Sequence, residues 1–314
     1  MTQTLSPCKL FNRFHMNQEN IYKDLLDKFE KNLSILPDKM EETPKNTLAA
    51  LWHTSFGNPM SPILAEKTKL PQLTPSQLAQ LDTLIQDRIS GVPLAHLTER
   101  QYYMGLEFIV KKGLYIPRKE TELLAKTAIT SISNEYSKNA NVNVLDLCSG
   151  IGTVALAIAN YCRNTYVFGS DIYKPAIDCA KINATYFDLE NRSSFFNADL
   201  FDPFEQLSLK NKTHVVVSAP PYITTVKVKQ MAIEISNHEP VEAFDAGAMG
   251  VSIFFKLISN APDYLEGNGF LIFECGLGQG EFLANRIRLN NYYKNVTEIK
   301  DEHGHVRVIL SQKK

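Results

Sequence analysis

Val142-Asn143-Val144-Leu145-Asp146-Leu147-Cys148-Ser149-Gly150-Ile151-Gly152 decides how the rest of this chain is read. Val142 to Leu147 is rich in branched apolar residues and reads as a buried strand. Cys148 to Gly152 is a tight glycine turn, and the alanine-rich stretch from Thr153 to Asn160 reads as a helix. Strand, glycine turn and helix in that order form the first βα unit of an open nucleotide-binding sheet. The glycines there let backbone come close to a ligand.

Working outward, Tyr166 to Ser170 is a second strand that ends in Asp171, 19 positions after Gly152. An acid at that point is placed to hold a ribose diol with both oxygens. A helix over Lys174 to Asn183 follows, and then a third strand around Ser194-Phe195-Phe196. That strand ends in Asn197-Ala198-Asp199-Leu200, with Asp199 placed to accept from an adenine amine. Phe195 and Phe196 read as core. A fourth strand, Val215-Val216-Val217, runs into Ser218-Ala219-Pro220-Pro221-Tyr222. The two prolines have no N–H to give the sheet, so the strand stops and the turn carbonyls are left for a ligand. Ligands of open α/β sheets sit outside such strand ends.

Two cofactors fit this half. Gly150-x-Gly152-x-x-Ala155 matches the dinucleotide pattern with alanine in third place. Hydride transfer would also need a catalytic His, Lys or Tyr-Lys pair, and none stands at a recognisable spacing. S-adenosylmethionine needs the same glycine turn, ribose acid and adenine acceptor, but no pyrophosphate site.

The remainder frames this sheet. Residues 1–16 read as a loosely docked arm. Ile21, Leu25, Phe29 and Leu33 make one apolar helical stripe that ends before Pro37. Leu48, Leu51 and Trp52 are the buried face of a second helix, Thr47 to His53. Thr74, Pro75 and Gln77 start a third with a capping box, and Gly91 closes it. Gln101 to Val110 and Leu114 to Ile116 read as a β-hairpin turned at Lys111-Lys112-Gly113, and Lys119 opens the next helix. Three parts result: an arm and helical domain over 1–91, a hairpin connector over 92–124 and a cofactor-binding catalytic domain over 125–314. Within the last, Thr224 to His238 reads as a helix over the site with Lys227, Lys229 and Glu234 on a solvated face. His238-Glu239-Pro240 pins that segment. Helices at Gly250–Tyr264 and Gly280–Leu289, a strand at Gly269–Glu274 and a hairpin of Val296–Ile299 with Val306–Leu310 complete the pattern.

Composition narrows the function. The chain has 314 residues, 44% hydrophobic and 21% charged, with a formal net charge of -1. That fits a soluble globular protein and speaks against a broad basic surface for direct nucleic-acid binding. Its five cysteines include no CxxC pair, so neither a zinc site nor any other metal site is expected. No apolar run approaches the roughly 18 residues that would span a membrane. The N-terminus has no signal-peptide core, and the expected location is the cytoplasm.

The motifs taken together resemble the HemK/PrmC protein-(glutamine-N5) methyltransferases. Ile116 to Leu124 is similar to their IPRPETELL stretch, and Gly91 to Ala95 to their GEPLAY lead-in. Asp146 to Gly152 is similar to DLGTGSG, Asn197 to Phe201 to GDLF, and Ser218 to Tyr222 to NPPY. His238-Glu239-Pro240 and Glu274 to Gly280 resemble YEP and EIGxGQG. The resemblance runs in order from about residue 75 onward. It implies an α/β, Rossmann-like class I methyltransferase sheet of seven strands, with a helical N-terminal domain and a hairpin connector.

It also implies an S-adenosylmethionine-dependent enzyme that methylates a glutamine side chain, with a peptide release factor or another protein as acceptor. The implied cofactor residues are Arg118, Thr121, Asp146, Cys148, Gly150, Gly152, Asp171, Ile172, Asp199, Leu200 and Ser218, with Asp146 beside the methionine part. The implied catalytic residues are Ser218, Ala219, Pro220, Tyr222 and Tyr115. The chain departs from the pattern where the motif asparagine is Ala219, whose side chain cannot accept a hydrogen bond. Lys119, where the family has proline, is a milder departure. A second reading is therefore a small-molecule tailoring enzyme on the same scaffold. One form needs no external acceptor and cyclises the cofactor to azetidine-2-carboxylate with release of methylthioadenosine.

Overall fold

The structure, a computed structural model, describes residues 18–314, so the arm read over residues 1–16 lies outside the described residues. The chain divides into two compact units between Tyr102 and Tyr103. The first reaches beyond residue 91, and the segment read as a connector is shared between the two.

The first unit is helical: α1 (Gln18–Asn32), α2 (Pro44–Phe56), α3 (Pro62–Glu66), α4 (Pro75–Ile89) and α5 (Leu94–Thr98). Ile21, Leu25 and Phe29 of α1, Leu48, Leu51 and Trp52 of α2, and Leu81 and Ile85 of α4 are buried in one core. The stripes read from the sequence are thus the faces that meet. Trp52 is fully buried, and its indole N–H donates to the Pro71 carbonyl at 2.9 Å. The capping box forms as expected: the Thr74 hydroxyl accepts from the Gln77 N–H, and the Gln77 side chain accepts from the Thr74 N–H. An unexpected element is a buried ion pair, Arg88 Nη2 to Glu42 Oε2 at 2.9 Å, with Lys39 Nζ 3.9 Å from the other carboxylate oxygen.

Two short strands, β1 (Arg100–Tyr103) and β2 (Leu106–Ile109), form the hairpin. The turn lies at Met104-Gly105, where both residues have positive φ, and not at Lys111-Lys112-Gly113. The expected second strand over Leu114–Ile116 is absent, because its backbone is taken by a side chain. Ile116 N donates to Glu239 Oε2 at 2.9 Å, leaving that N–H no strand partner.

The second unit carries α6 (Glu122–Glu135), β3 (Val142–Leu147), α7 (Thr153–Tyr161), β4 (Thr165–Asp171), α8 (Lys174–Tyr186), β5 (Ser193–Asn197) and β6 (Thr213–Ser218). After these come α9 (Thr225–Val228), α10 (Ile233–Ser236), α11 (Ser252–Tyr264), β7 (Leu265–Glu274), α12 (Gly280–Arg288), β8 (Tyr293–Lys300) and β9 (Val306–Lys313). The seven-stranded sheet runs β5-β4-β3-β6-β7-β9-β8. β3 is parallel to β4 and β6, and β9 is antiparallel to β7 and β8. This is the α/β sheet expected of the class I fold. Strand order reverses between β3 and β6, which opens a crevice at their carboxyl ends.

The expected helix over Thr224–His238 is instead two separate four-residue helices, α9 and α10. Thr224, Thr225, Val226 and Val228 are β-branched and lose side-chain freedom in a helix, and no apolar stripe offsets that loss. Ala232 between them is extended, with φ -55 and ψ 142.

Candidate active site

The two turns singled out in the sequence leave neighbouring strands. Leu147 pairs with Ser218 across β3 and β6, so Cys148–Gly152 and Ala219–Tyr222 emerge side by side at the point of strand reversal. Ser170 pairs with Leu147 on the other flank, which sets Asp171 beside the glycine turn. Three segments distant in sequence thus share one sheet edge because of strand order alone.

Gly150 has φ +54 and only open space where a Cβ would stand. Gly152 has φ +81, and a Cβ there would come 2.9 Å from the Phe195 ring. One glycine leaves room outward; the other lets α7 pack down on the core. Cys148 adopts φ 60 without being glycine, a conformation uncommon for such a residue. Burial pushes its thiol up, and the Asp171 charge adds to this, so the sulfur is held as a neutral S–H.

Asp171 is half-buried at the end of β4. Its Oδ2 accepts from Gly150 N at 2.9 Å and its Oδ1 from Tyr173 N at 2.8 Å. Burial raises its pKa, and these two N–H bonds oppose the shift. Next to it, Ile172 is 60% exposed, an apolar side chain presented to solvent at the crevice. Asn197 braces this corner by donating to the carbonyls of Asp171 and Ile172. Asp199 is exposed and paired with Lys256 Nζ of α11 at 3.1 Å, a partner the sequence reading did not supply. Leu200 is buried with φ 42, and its carbonyl accepts from the Ser170 hydroxyl at 2.6 Å.

Asp146 is 1% exposed, and its Oδ2 accepts from Ala155 N in the first turn of α7 at 3.0 Å. Burial pushes its carboxyl up to about 8; the Ala155 N–H opposes this and the Asp171 charge adds to it. The folded value exceeds the ordinary 3.8, so the folded protein holds this proton more tightly than the unfolded chain does. Its stabilising contribution is complete below about 3.8 and is lost as pH rises through about 8. Asp146→Asn is expected to remove that decline across the window. Urea unfolding of both proteins at several pH values checks it, and parallel pH profiles would refute it.

Ser218 is fully buried, and its hydroxyl donates to the Leu147 carbonyl at 2.7 Å, so the side chain is spent on joining β6 to β3. Pro220 is buried, and Ala219 and Tyr222 are half-buried. The Tyr222 hydroxyl donates to Glu274 Oε1 at 3.1 Å and accepts from Arg307 Nη2 at 3.2 Å.

A further group forms around the segment after β2. Arg118 Nη2 lies 2.5 Å from Glu239 Oε1, and its guanidinium sits 5.3 Å over the Tyr115 ring. Tyr115 in turn packs on Phe244 at 5.4 Å. The segment read as pinned by His238-Glu239-Pro240 is held by Glu239, whose second oxygen accepts from Ile116 N. Thr121 is buried, and its carbonyl accepts from the Tyr103 hydroxyl at 2.9 Å. Sequence reasoning missed Lys256, Arg307 and the hydrogen-bonding role of Gln279. Arg307 stands in a strand read only as sheet, and nothing local marks it.

Among the described residues no cluster of His, Cys, Asp and Glu could hold a metal ion, and no helix is long and apolar enough to cross a membrane. The donor set suits a nucleoside: a carboxylate at the second strand end, an exposed apolar side chain beside it, and an open glycine turn.

Comparison with known proteins agrees. Residues 121–238 match the family described as the methyltransferase small domain. A release factor glutamine methyltransferase of Thermodesulfovibrio yellowstonii is 32% identical over 247 residues, covering 78% of this chain and 85% of the relative. One from Clostridium acetobutylicum is 31% identical over 242 residues, covering 76% and 82%. A bifunctional methyltransferase of Rickettsia conorii is 31% identical over 259 residues, covering 76% of this chain and 48% of that protein. With the strand order, the switch-point turns and these relatives in agreement, the chain belongs to the family of the release factor glutamine methyltransferases and is an S-adenosylmethionine-dependent methyltransferase of class I fold.

Proposed function

We propose that this enzyme methylates the side-chain amide of a glutamine in a protein acceptor, a peptide release factor being the acceptor class its relatives' names indicate. The observation that carries this is the placement of Ala219–Tyr222 beside the glycine turn at the strand reversal. Asp171 would hold the ribose, Asp199 and Ile172 the adenine, and the turn Cys148–Gly152 the methionine end, with Asp146 fixing that turn to α7. Arg118 and Thr121 would close the crevice over the methionine end, Arg118 positioned by Glu239. Leu200 shapes the adenine side from the core. S-adenosylmethionine supplies a methyl group activated by its sulfonium.

An amide nitrogen is a poor nucleophile, because its lone pair is delocalised into the carbonyl. What the protein contributes is position. With alanine at 219, no side-chain oxygen is available there, and the carbonyls of Ala219 and Pro220 are what remain to accept from the acceptor NH₂. Tyr222 and Tyr115 would wall the acceptor.

The test uses purified protein, methyl-labelled S-adenosylmethionine and a release factor. Label on a glutamine side chain is the expected result. Methylthioadenosine formed from cofactor alone, with no labelled protein, would replace this reading with the cyclisation reading. Ala219→Asn is expected to raise the rate of glutamine methylation by roughly tenfold to a hundredfold, the range that restored near-attack geometry can supply. Steady-state rates with the same release factor check it, and an unchanged rate would show that the missing amide is not limiting.

A further inference from the structure

At Ala219 the candidate acceptor turn has no side chain able to hold a ligand, so its backbone has to be held from behind. Tyr222 is fixed at both ends. Its hydroxyl lies between Glu274 Oε1 at 3.1 Å and Arg307 Nη2 at 3.2 Å, and Glu274 and Arg307 are themselves 3.4 Å apart. Both are nearly inaccessible, Glu274 at the end of β7 and Arg307 on β9. The Tyr222 carbonyl accepts from Gln279 Nε2 at 3.1 Å, which also donates to the Gly250 carbonyl at 3.1 Å. Gln279 Oε1 accepts from Gly276 N at 2.9 Å, which fixes the orientation of that amide. The approach is tight: a Cβ on Gly250 would stand 2.9 Å from the Tyr222 carbonyl oxygen.

We propose that Tyr222, clamped at its hydroxyl by Glu274 and Arg307 and at its carbonyl by Gln279, is the positioning residue that aims the Ala219 and Pro220 carbonyls at the acceptor nitrogen. This rests on the proposed amide transfer. Neither β7 nor β9 touches the acceptor in this scheme; each acts through the tyrosine. Rigidity matters more here than in a turn with an asparagine, because two backbone carbonyls have no rotamer with which to correct a misplaced turn. Rate is sensitive to such errors, since a displacement of about 1 Å can cost roughly a hundredfold.

The variant that isolates the clamp is Tyr222→Phe, which keeps the ring and leaves the Glu274–Arg307 pair in place. Gln279→Ala removes the other end. Three quantities are measured on the full chain: steady-state methylation of a release factor, affinity for S-adenosylmethionine by titration calorimetry, and amide hydrogen exchange at Ile223 and Thr225. Those two amides donate to the carbonyls of Phe244 and Gly247. For Tyr222→Phe, kcat is expected to fall at least about tenfold, with cofactor affinity within about twofold and faster exchange at both amides. A fall in kcat matched by an equal loss of cofactor affinity would overturn the proposal, because that pattern marks general damage and not a positioning role. If the unmodified protein methylates no release factor, the proposed function fails while exchange still decides this inference. Unchanged exchange at Ile223 and Thr225 in both variants would overturn it.

Discussion

Replacing Asp171 by alanine is expected to weaken S-adenosylmethionine binding by at least about a hundredfold. A carboxylate holding both hydroxyls of a ribose makes two charge-assisted hydrogen bonds, each contributing roughly 1.5–3 kcal/mol. Their joint loss converts to two orders of magnitude or more at 1.4 kcal/mol per tenfold. The variant also removes the acceptor for Gly150 N and Tyr173 N, so the glycine turn loosens as well. Titration calorimetry reads the affinity, and thermal unfolding without cofactor separates a binding loss from loss of fold. An affinity within threefold or so of the unmodified protein would show that Asp171 organises the turn and holds no ribose.

The largest stability effect is expected in the helical unit. Arg88 and Glu42 are each 2% exposed and paired at 2.9 Å. Arg88→Met removes the guanidinium 2.9 Å from the buried carboxylate and leaves Lys39 at 3.9 Å from it. Removing one partner of a buried pair destabilises by about 3–5 kcal/mol, because the other charge stays behind. Adding Glu42→Leu to Arg88→Met is expected to recover most of that loss, since a buried pair and a well-packed apolar replacement are often equivalent. Trp52 is the only tryptophan and lies in the same core, so its fluorescence in urea reports this unit directly. A loss below about 1 kcal/mol for Arg88→Met would show that water reaches Glu42.

The parts legible in the sequence are those fixed by local chemistry. The capping box at Thr74 needs only Thr, Pro and Gln at set spacing, and it forms. The glycine turn and the Pro-Pro stop were readable because each residue type there has a backbone consequence of its own. At residues 114–116 a distant group overrides the local pattern. Leu114-Tyr115-Ile116 has the apolar, β-favouring composition of a strand, but Glu239, 123 positions on from Ile116, takes the Ile116 N–H. The single helix expected over Thr224–His238 is two short ones, and its β-branched residues are the local sign of that. The strand reversal that sets β6 beside β3 followed from the resemblance, whereas the clamp on Tyr222 did not. Arg307 meets Glu274 and Tyr222 only through β9 pairing, and a lone arginine in a strand pattern gives no sign of that.

The interior position of β9 has a consequence for biosynthesis. β9 lies between β7 and β8, so β8 cannot join the sheet until Val306–Lys313 has been made. A nascent chain can assemble β3 to β7 as it emerges. Arg307 arrives only with the last strand, and without it the Tyr222 hydroxyl lacks one of its two partners. Pairings that span many residues are the slow ones to close. Tyr222 is therefore held on both sides of its hydroxyl only after Val306–Lys313 has paired with β7.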